Sequence, residues 1–405
     1  MKIAEIDSLQ KLLQIFFIGE LVGLPTLKSI LTKFDILSNT QQIKYKKLCK
    51  SLTVSKIRTI FEYIFEHELS EKLNELSQKD GSNWSRELVT VVLDDSVFRQ
   101  WLEQSFANQG LDSYYGKYFS GQFGTAVYGY KVVTLGVSIN GILYPVYFDF
   151  AKKGEKSTSK ISIENPDRAI VVAQKLIGRL GIFLKKLRDA GAKIPELHLS
   201  CDSGYNDATL AQTCLDNRLI YISVPKKSHC IEIDGRKIKL AILVEKDFVT
   251  LEKEHHQKEK NLPDGKKTAF KWRFRAKYLS KNQEVTFLAF RLNGSKKVSI
   301  IFSPDKNIFA KTLRRNWFQR TYIEQFFKLL KHVLLIQEAR VRNKEDFEIK
   351  LLRFAFVAWH AQKLVKYVRT QFKDFAKKGF IAMQRVLCSD EDMLGLLQRL
   401  VTAKD

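Results

Sequence analysis

The sequence predicts an α/β protein: a mixed sheet with helices packed on it, interrupted by a β-rich insertion and flanked by helical terminal regions. Three observations carry this. Apolar residues recur at helical spacing before residue 86 and after 311, with strand-like runs between them. Asn140-Gly141 separates two β-rich runs, a strong hairpin signal. Beyond that hairpin, helical and strand patterns alternate, as in a sheet covered by helices.

The elements follow in chain order. Residues 1–86 read as a helical domain, in which LQKLLQIFFIGELVGL and VSKIRTIFEYIFEHELSEKLNEL flank a basic stretch, and QKDGSNWS closes it as a linker. A plain helical bundle and a DNA-binding domain both fit this segment. Residues 87–230 form the first part of the core. Val89 to Leu93 is a short strand ending at Asp94 and Asp95, and the runs on either side of Asn140-Gly141 give antiparallel strands two and three. The polar KKGEKSTSKISIENPD reads as a loop. AIVVAQKLIGRLGIFLKKLRDAGAK is a helix stopping near Gly191, ELHLSCD a strand ending at Asp202, ATLAQTCLDN a short helix and LIYISVP a strand.

Residues 231–310 leave this pattern. A hairpin around Asp234-Gly235, the strands AFKWRFRAKYL and VTFLAFRLNGSKKVSIIF, and a charged loop EKEHHQKEKNLPDGKK make up the insertion. Residues 311–345 return to the core as a helix, taken over 311–339, and 346–405 form a helical C-terminal region. The order β-β-β-α-β-α-β, with an acid at the ends of strands one and four, is similar to a ribonuclease H-like fold, which carries metal-binding carboxylates at those places.

Composition bounds the function. The 405 residues include 68 basic and 44 acidic side chains, a formal charge of +24, which favours a polyanionic partner, nucleic acid first. Five cysteines without a CxxC argue against a disulfide framework or a cysteine zinc site. No apolar run reaches the ~18 residues of a membrane span. The expectation is a cytoplasmic protein, nucleoid-associated when bound to DNA, with no membrane partner.

The stretch WFQRTYIEQFFKLLK, 317–331, carries the sharpest pattern. At about 100° per residue, Trp317, Arg320, Glu324 and Lys331 fall within a sector of about 60°. Ile323, Phe326, Phe327 and Leu330 form the neighbouring apolar face. Taken alone, Arg320 and Glu324 are an ordinary i,i+4 pair supporting a helix. Asp94 and Asp95 occupy successive strand positions and face opposite ways, so one of them points into any site. Asp202 reads either as a ligand or as an Asx-turn before Gly204, and Asp207 as a helix cap. His255-His256 fall in a charged loop, His198 and His332 read as packing residues, and Lys226-Lys227 as a surface pair or a DNA contact.

Together VVLDDS, LSCDSGYNDATL and WFQRTYIEQFFKLLK resemble the three acidic motifs of cut-and-paste DDE transposases of bacterial insertion sequences, in the branch with a Tyr-Arg-Glu-Lys signature. Arg320, Glu324 and Lys331 match that signature with correct spacing, and Trp317 stands where it has Tyr. The resemblance spans roughly 89–340. It implies that Asp94, Asp202 and Glu324 are the catalytic metal ligands, with Asp94 preferred over Asp95 by the D-x-S/T pattern. It implies two Mg²⁺ ions, with Mn²⁺ able to substitute. Asp202 would bridge the ions, with Asp94 and Glu324 each favouring one. Trp317, Arg320 and Lys331 would bind DNA. Thr321 stands where hairpin-forming members place Trp, which leaves Trp272 of the insertion as an aromatic able to stack on a flipped base. The implied partners are double-stranded DNA, as terminal inverted repeats and target, and a second copy of the chain in a homodimer on DNA. The implied activity is cleavage at element ends and strand transfer. The alternatives are a ribonuclease H-like nuclease or resolvase without joining, and an inactive DNA-binding relative.

Overall fold

The computed structural model of the chain describes residues 53–78, 88–100, 114–120, 123–152, 168–226, 228–260, 270–278, 282–292, 295, 297–338, 341 and 343–371. Residues 1–52 of the expected helical N-terminal domain, all but the first residue of the expected linker QKDGSNWS, the Asn-Gly within VTFLAFRLNGSKKVSIIF and most of the C-terminal region lie outside these residues.

Two sheets organise the molecule. The first contains β1 (Val89–Arg99), β2 (Tyr115–Ser120), β3 (Thr125–Ile139), β4 (Ile142–Ala151), β5 (Leu197–Cys201) and β6 (Leu219–Ile222). β3 pairs antiparallel with β1 on one side, and with β4 and β2 along its two halves on the other. β5 runs parallel to β1 and β6 parallel to β5, so the sheet is mixed. The β3–β4 turn is the expected one: Asn140 and Gly141 take φ of 51° and 86°, the left-handed pair a tight primed turn requires. Helix α1 (Val54–Gln78) lies on β4, and α2 (Ala169–Asp189) on β3 and β4. Past α2, Gly191 at φ 96° ends the helix. α3 (Ala208–Asp216) joins β5 to β6 and is capped by Asp207, whose Oδ1 accepts from the backbone N–H groups of Thr209 and Leu210 at 2.8 and 3.1 Å.

The second sheet has the order β11-β10-β9-β7-β8: β7 (Cys230–Ile233), β8 (Arg236–Lys239), β9 (Lys271–Tyr278), β10 (Gln283–Arg291) and β11 (Val298–Ser303). Its pairs are all antiparallel. A single bridge, Ser223 to Phe302, ties it to the end of β6. The chain then returns to the first sheet through α6 (Ala310–Phe318) and α7 (Thr321–Lys328), and α8 (Lys344–Gln371) packs against α1 and β4.

Four expectations need correction. β1 does not stop at the two acids; it runs on to Arg99, paired with β3 throughout, because Val97 and Phe98 are buried. β2 is an additional strand, held by Tyr118 and by the aromatic contact of Tyr115 with Tyr130. The charged segment after β8 is helical, as α4 (Leu240–Leu243), a π turn Val244–Phe248 and α5 (Val249–Lys260), because Leu240, Leu243, Val244 and Phe248 supply a buried face. Residues 311–339 are not one helix: the chain turns at Gln319 and Arg320, passes into a π turn at Leu329–Val333 and ends in a short 3-10 turn. In addition, α1 does not stand apart from the sheet, since seven of its side chains belong to the main core cluster.

Candidate catalytic site

The site begins with register. β1 and β5 pair from Thr90↔His198 to Leu93↔Cys201, after which β5 ends and β1 continues. The next residues on the two strands are Asp94 and Asp202, so parallel pairing sets these carboxylates side by side at the split. Strand alternation sends Asp94 to the face covered by α6 and α7, the face of Thr90 and Phe98, and Asp95 to the other.

Asp94 is the most stressed of the acids. Its side chain is 14% exposed. Burial pushes its carboxyl up to about 8, reinforced by the negative charges of Asp202 and Asp95 and opposed by Arg320 and a hydrogen bond from the Asp95 backbone N–H. Asp202 takes the Asx-turn: its Oδ1 accepts from the Gly204 N–H at 2.7 Å. Its backbone carbonyl accepts from the Ser223 hydroxyl at 2.9 Å, which fixes the end of β5 against β6.

Glu324 arrives on α7, and buried polar side chains aim that helix. Asn316, almost fully buried in α6, accepts from the Thr90 hydroxyl at 2.7 Å and donates to the Thr312 carbonyl, while its own carbonyl accepts from the Ser200 hydroxyl at 3.0 Å. Gln319, also buried, accepts from Ser138 at 3.0 Å. β1, β3 and β5 are thus each pinned to the turn before α7. Ile323, Phe326 and Phe327 bury the neighbouring face of α7, with Phe327 edge-on to Phe98 and Phe326 beside Phe148.

Arg320 links two of the acids. Its guanidinium lies 2.6 Å from Glu324 Oε1 and 3.5 Å from Asp94 Oδ2. Lys331, in the π turn, lies over the Phe98 ring at 5.1 Å. Burial lowers its ammonium to about 8, against the pull of Asp95 and Asp94. Of the expected stripe, Arg320 therefore joins Asp94 to Glu324, and Lys331 lies within the electrostatic reach of Asp95 and Asp94. Trp317 does not join them. It packs against Phe290 of the second sheet and Phe318, with its indole N–H buried and unpartnered.

The other candidates fall elsewhere. Trp272 on β9 is half-buried, tilted against Phe274 at 4.4 Å on the core side of the second sheet. His255 and His256 sit on α5, with His255 against Phe270. His198 is held down to about 4 by burial, and so is neutral near pH 7. His332 and Lys226 are exposed, and Lys227 lies outside the described residues.

Sequence reasoning missed the clamp on Asp95. Its Oδ2 accepts from the Tyr205 hydroxyl at 2.8 Å and lies 3.1 Å from the Lys131 ammonium. Tyr205 is the buried Tyr of Asp202-Ser203-Gly204-Tyr205, and its carbonyl accepts from Tyr221 at 2.5 Å. The acidic pair thus divides: Asp95 is held in a structural ion pair, and Asp94 faces Arg320.

Among the described residues, no three His, Cys, Asp or Glu side chains stand together as a ready ion cage. The donor chemistry nevertheless suits a divalent cation. Asp94 and Asp202 are hard oxygen donors in adjacent register, and burial beside like charges leaves Asp94 short of positive charge. Arg320 meets part of that need and already draws Glu324 in.

Residues 179–359 match the family model for the transposase DDE domain. The match runs from within α2 to within α8, so it contains Asp202 and Glu324 and leaves Asp94 upstream. Over those residues the chain is similar to a transposase DDE domain. Among solved structures, the piggyBac transposase synaptic complex with hairpin DNA is similar at 10% identity with a TM-score of 0.36, over 76% of this chain and 53% of that one. The chain spans about half the length of that relative. No curated protein matches the sequence. Among the described residues, no helix is long and apolar enough to cross a membrane.

Proposed function

We propose that the chain is a DDE transposase that cleaves double-stranded DNA at the ends of its element and joins the freed 3′ ends to target DNA. The observation that carries this reading is the convergence of Asp94 and Asp202, one register step beyond Leu93↔Cys201, with Glu324 drawn toward Asp94 through Arg320. The sheet order β4-β3-β1-β5-β6, antiparallel then parallel, supports a ribonuclease H-like core interrupted by the second sheet.

Asp94, Asp202 and Glu324 would hold the Mg²⁺ ions. When bound, two such ions activate an oxygen nucleophile and stabilise the leaving 3′-oxygen of a phosphodiester. The remaining roles belong to the protein. The Asn316 and Gln319 anchors hold α7 at the split between β1 and β5. Arg320 orients Asp94 and Glu324, and its other guanidinium donors can fork onto a phosphate. Lys331 supplies a second positive charge beside Asp94. In cleavage, water adds to phosphorus and the P–O3′ bond breaks, leaving a 3′-hydroxyl and a 5′-phosphate. In joining, the oxygen of that 3′-hydroxyl loses its proton and bonds to a target phosphorus while the target's own P–O3′ bond breaks, releasing a target 3′-hydroxyl that takes up a proton. Binding at both element ends by a homodimer belongs to the same proposal.

The test uses duplexes carrying the DNA that flanks the reading frame, with Mg²⁺ present. Cleaved and joined products are expected from the unsubstituted protein, and Glu324→Gln should lose both while melting as a folded protein. Cleavage without joining would favour a nuclease, and a band shift without products a binding relative. Full cleavage by Glu324→Gln would remove Glu324 from the site.

A further inference from the structure

The second sheet carries a charge pattern that the proposed chemistry does not use. On β9, Lys271, Arg273, Arg275 and Lys277 are all exposed, while Trp272, Phe274, Ala276 and Tyr278 turn inward. Alternate side chains on a strand share a face, and they recur about every 7 Å. Four cations therefore form a straight, evenly spaced strip.

Local contacts orient this strip without neutralising it. Arg273 donates to the carbonyls of Ile308 and Lys306, both at 2.9 Å. Arg275 donates to the Lys306 carbonyl at 3.0 Å and to the Asn307 side-chain oxygen at 3.4 Å. These acceptors are uncharged, so both guanidiniums are fixed with their positive charge intact. Two acids flank Lys277: Glu232 stands opposite it on β7, and Glu284 stands opposite it on β10, paired with Lys306 at 2.8 Å. Two acids among the four strip cations and Lys306 still leave a positive surplus.

Placement links the strip to the acids. Arg273 and Lys271 stand opposite Leu288 and Phe290 on β10. Leu288 and Phe290 pack with Leu313 and Trp317 of α6, and α6 is the helix that Asn316 pins to β1 and β5. The strip and the acidic site thus lie on opposite flanks of α6, joined by packed side chains.

We propose that the outer face of β9 is a docking surface for the phosphate backbone of duplex DNA, held through Lys271, Arg273, Arg275 and Lys277. Phosphates on one DNA strand rise ~3.4 Å along the helix axis and also wind around it, so neighbouring phosphates lie further apart than that rise, on the scale of the ~7 Å cation spacing. The two central arginines, oriented by their hydrogen bonds, fork onto phosphate oxygens, and the lysines at the two ends act as point charges. β9 would then meet DNA through its cations, with Trp272 on the opposite side supporting the sheet. The choice of DNA over another polyanion rests on the transposase reading.

The experiment measures duplex affinity of the full chain against salt concentration. Lys271→Gln with Lys277→Gln removes two strip charges whose loss disturbs no hydrogen bond described above. Lys185→Gln with Lys186→Gln removes two exposed charges from α2 as a control of equal net charge. The strip variant should bind several-fold more weakly, and its log–log salt slope should fall by about 1.8, as ~0.9 is lost per phosphate contact. The control should keep the original slope. Unchanged binding by the strip variant would overturn the proposal and leave the transposase reading standing. Equal loss in both variants would overturn it in favour of general charge attraction. Absence of duplex binding by the unsubstituted protein would overturn both.

Discussion

Asp94 and Asp95 are neighbours in sequence with opposite fates. Alternation along β1 separates them onto two faces, and this much is legible in the sequence, as is the D-x-S/T pattern that singles out Asp94. The Tyr205 and Lys131 clamp on Asp95 is not legible, because both partners come from distant segments and look like ordinary strand and turn residues. The difference has a measurable consequence. The folded pKa of Asp94, about 8, lies above the ordinary 3.8. Between these values the folded chain keeps a proton that the unfolded chain has released, so stability falls as pH rises through the window. An amide at this position has no proton to lose. Asp94→Asn, in chelator, should therefore be more stable than the unsubstituted protein by on the order of a few kcal/mol at about pH 8, and by much less near pH 4 to 5. Denaturant melts at the two pH values check this. An advantage that does not grow with pH would mean that Asp94 is not held protonated.

Elements that carry the site were recognised more easily than the joints between them. The helical character of 311–333, the hairpin at Asn140-Gly141 and the cap at Asp207 all followed from short-range patterns. The break at Gln319 and Arg320 did not, since every residue around it is an acceptable helix former and only tertiary bonding picks out the turn. No short-range pattern marks Asn316 or Gln319, yet both are buried and bonded to the sheet. The helix at Val249–Lys260 is hidden for the converse reason: half of its residues are charged and most of the rest polar, and its anchor is the apolar turn before it. Asn316 is the sharpest test at this scale. Asn316→Ala leaves the buried Thr90 hydroxyl without its acceptor, a loss of about 1–3 kcal/mol. Because α6 leads directly into Arg320 and Glu324, DNA cleavage should fall further than global stability does. Thr90→Val with Asn316→Leu, replacing both partners by apolar groups, should recover most of the stability but not the cleavage. Recovery of both would reduce Asn316 to a packing role.

At the scale of the whole molecule, the strands β1, β3, β4, β5 and β6 and the β-rich character of the second sheet follow from β-branched runs and turn residues, whereas β2 and the helix within the insertion do not. The place of α1 did not, because an amphipathic helix announces that it packs and not what it packs against. The sequence suggested a separate N-terminal domain ending near 86. Instead Ile60, Phe61, Ile64, Phe65, Leu69, Leu73 and Leu76 are all buried in the core shared with the sheet, and Phe65 meets Trp359 of α8 at 5.0 Å. Arg58 reaches Glu348 of α8 at 2.6 Å, where the Glu348 side chain is only 4% exposed, and Tyr147 of β4 donates to Glu66 at 2.5 Å. Each buried Leu, Ile or Phe is worth about 1.5–3 kcal/mol, so seven of them approach or exceed a typical net stability of ~5–15 kcal/mol. Removing α1 would also expose the outer surface of β4 and take Arg58 from Glu348, leaving Lys344 at 3.4 Å as its ion-pair partner. A chain of residues 79–405 should therefore fail to fold cooperatively, whereas residues 53–405 retain every contact just named and should melt in a single transition through the core. Circular dichroism melts of the two chains decide it. A cooperative transition in 79–405 would restore the boundary near residue 86 and make α1 part of an independent N-terminal domain.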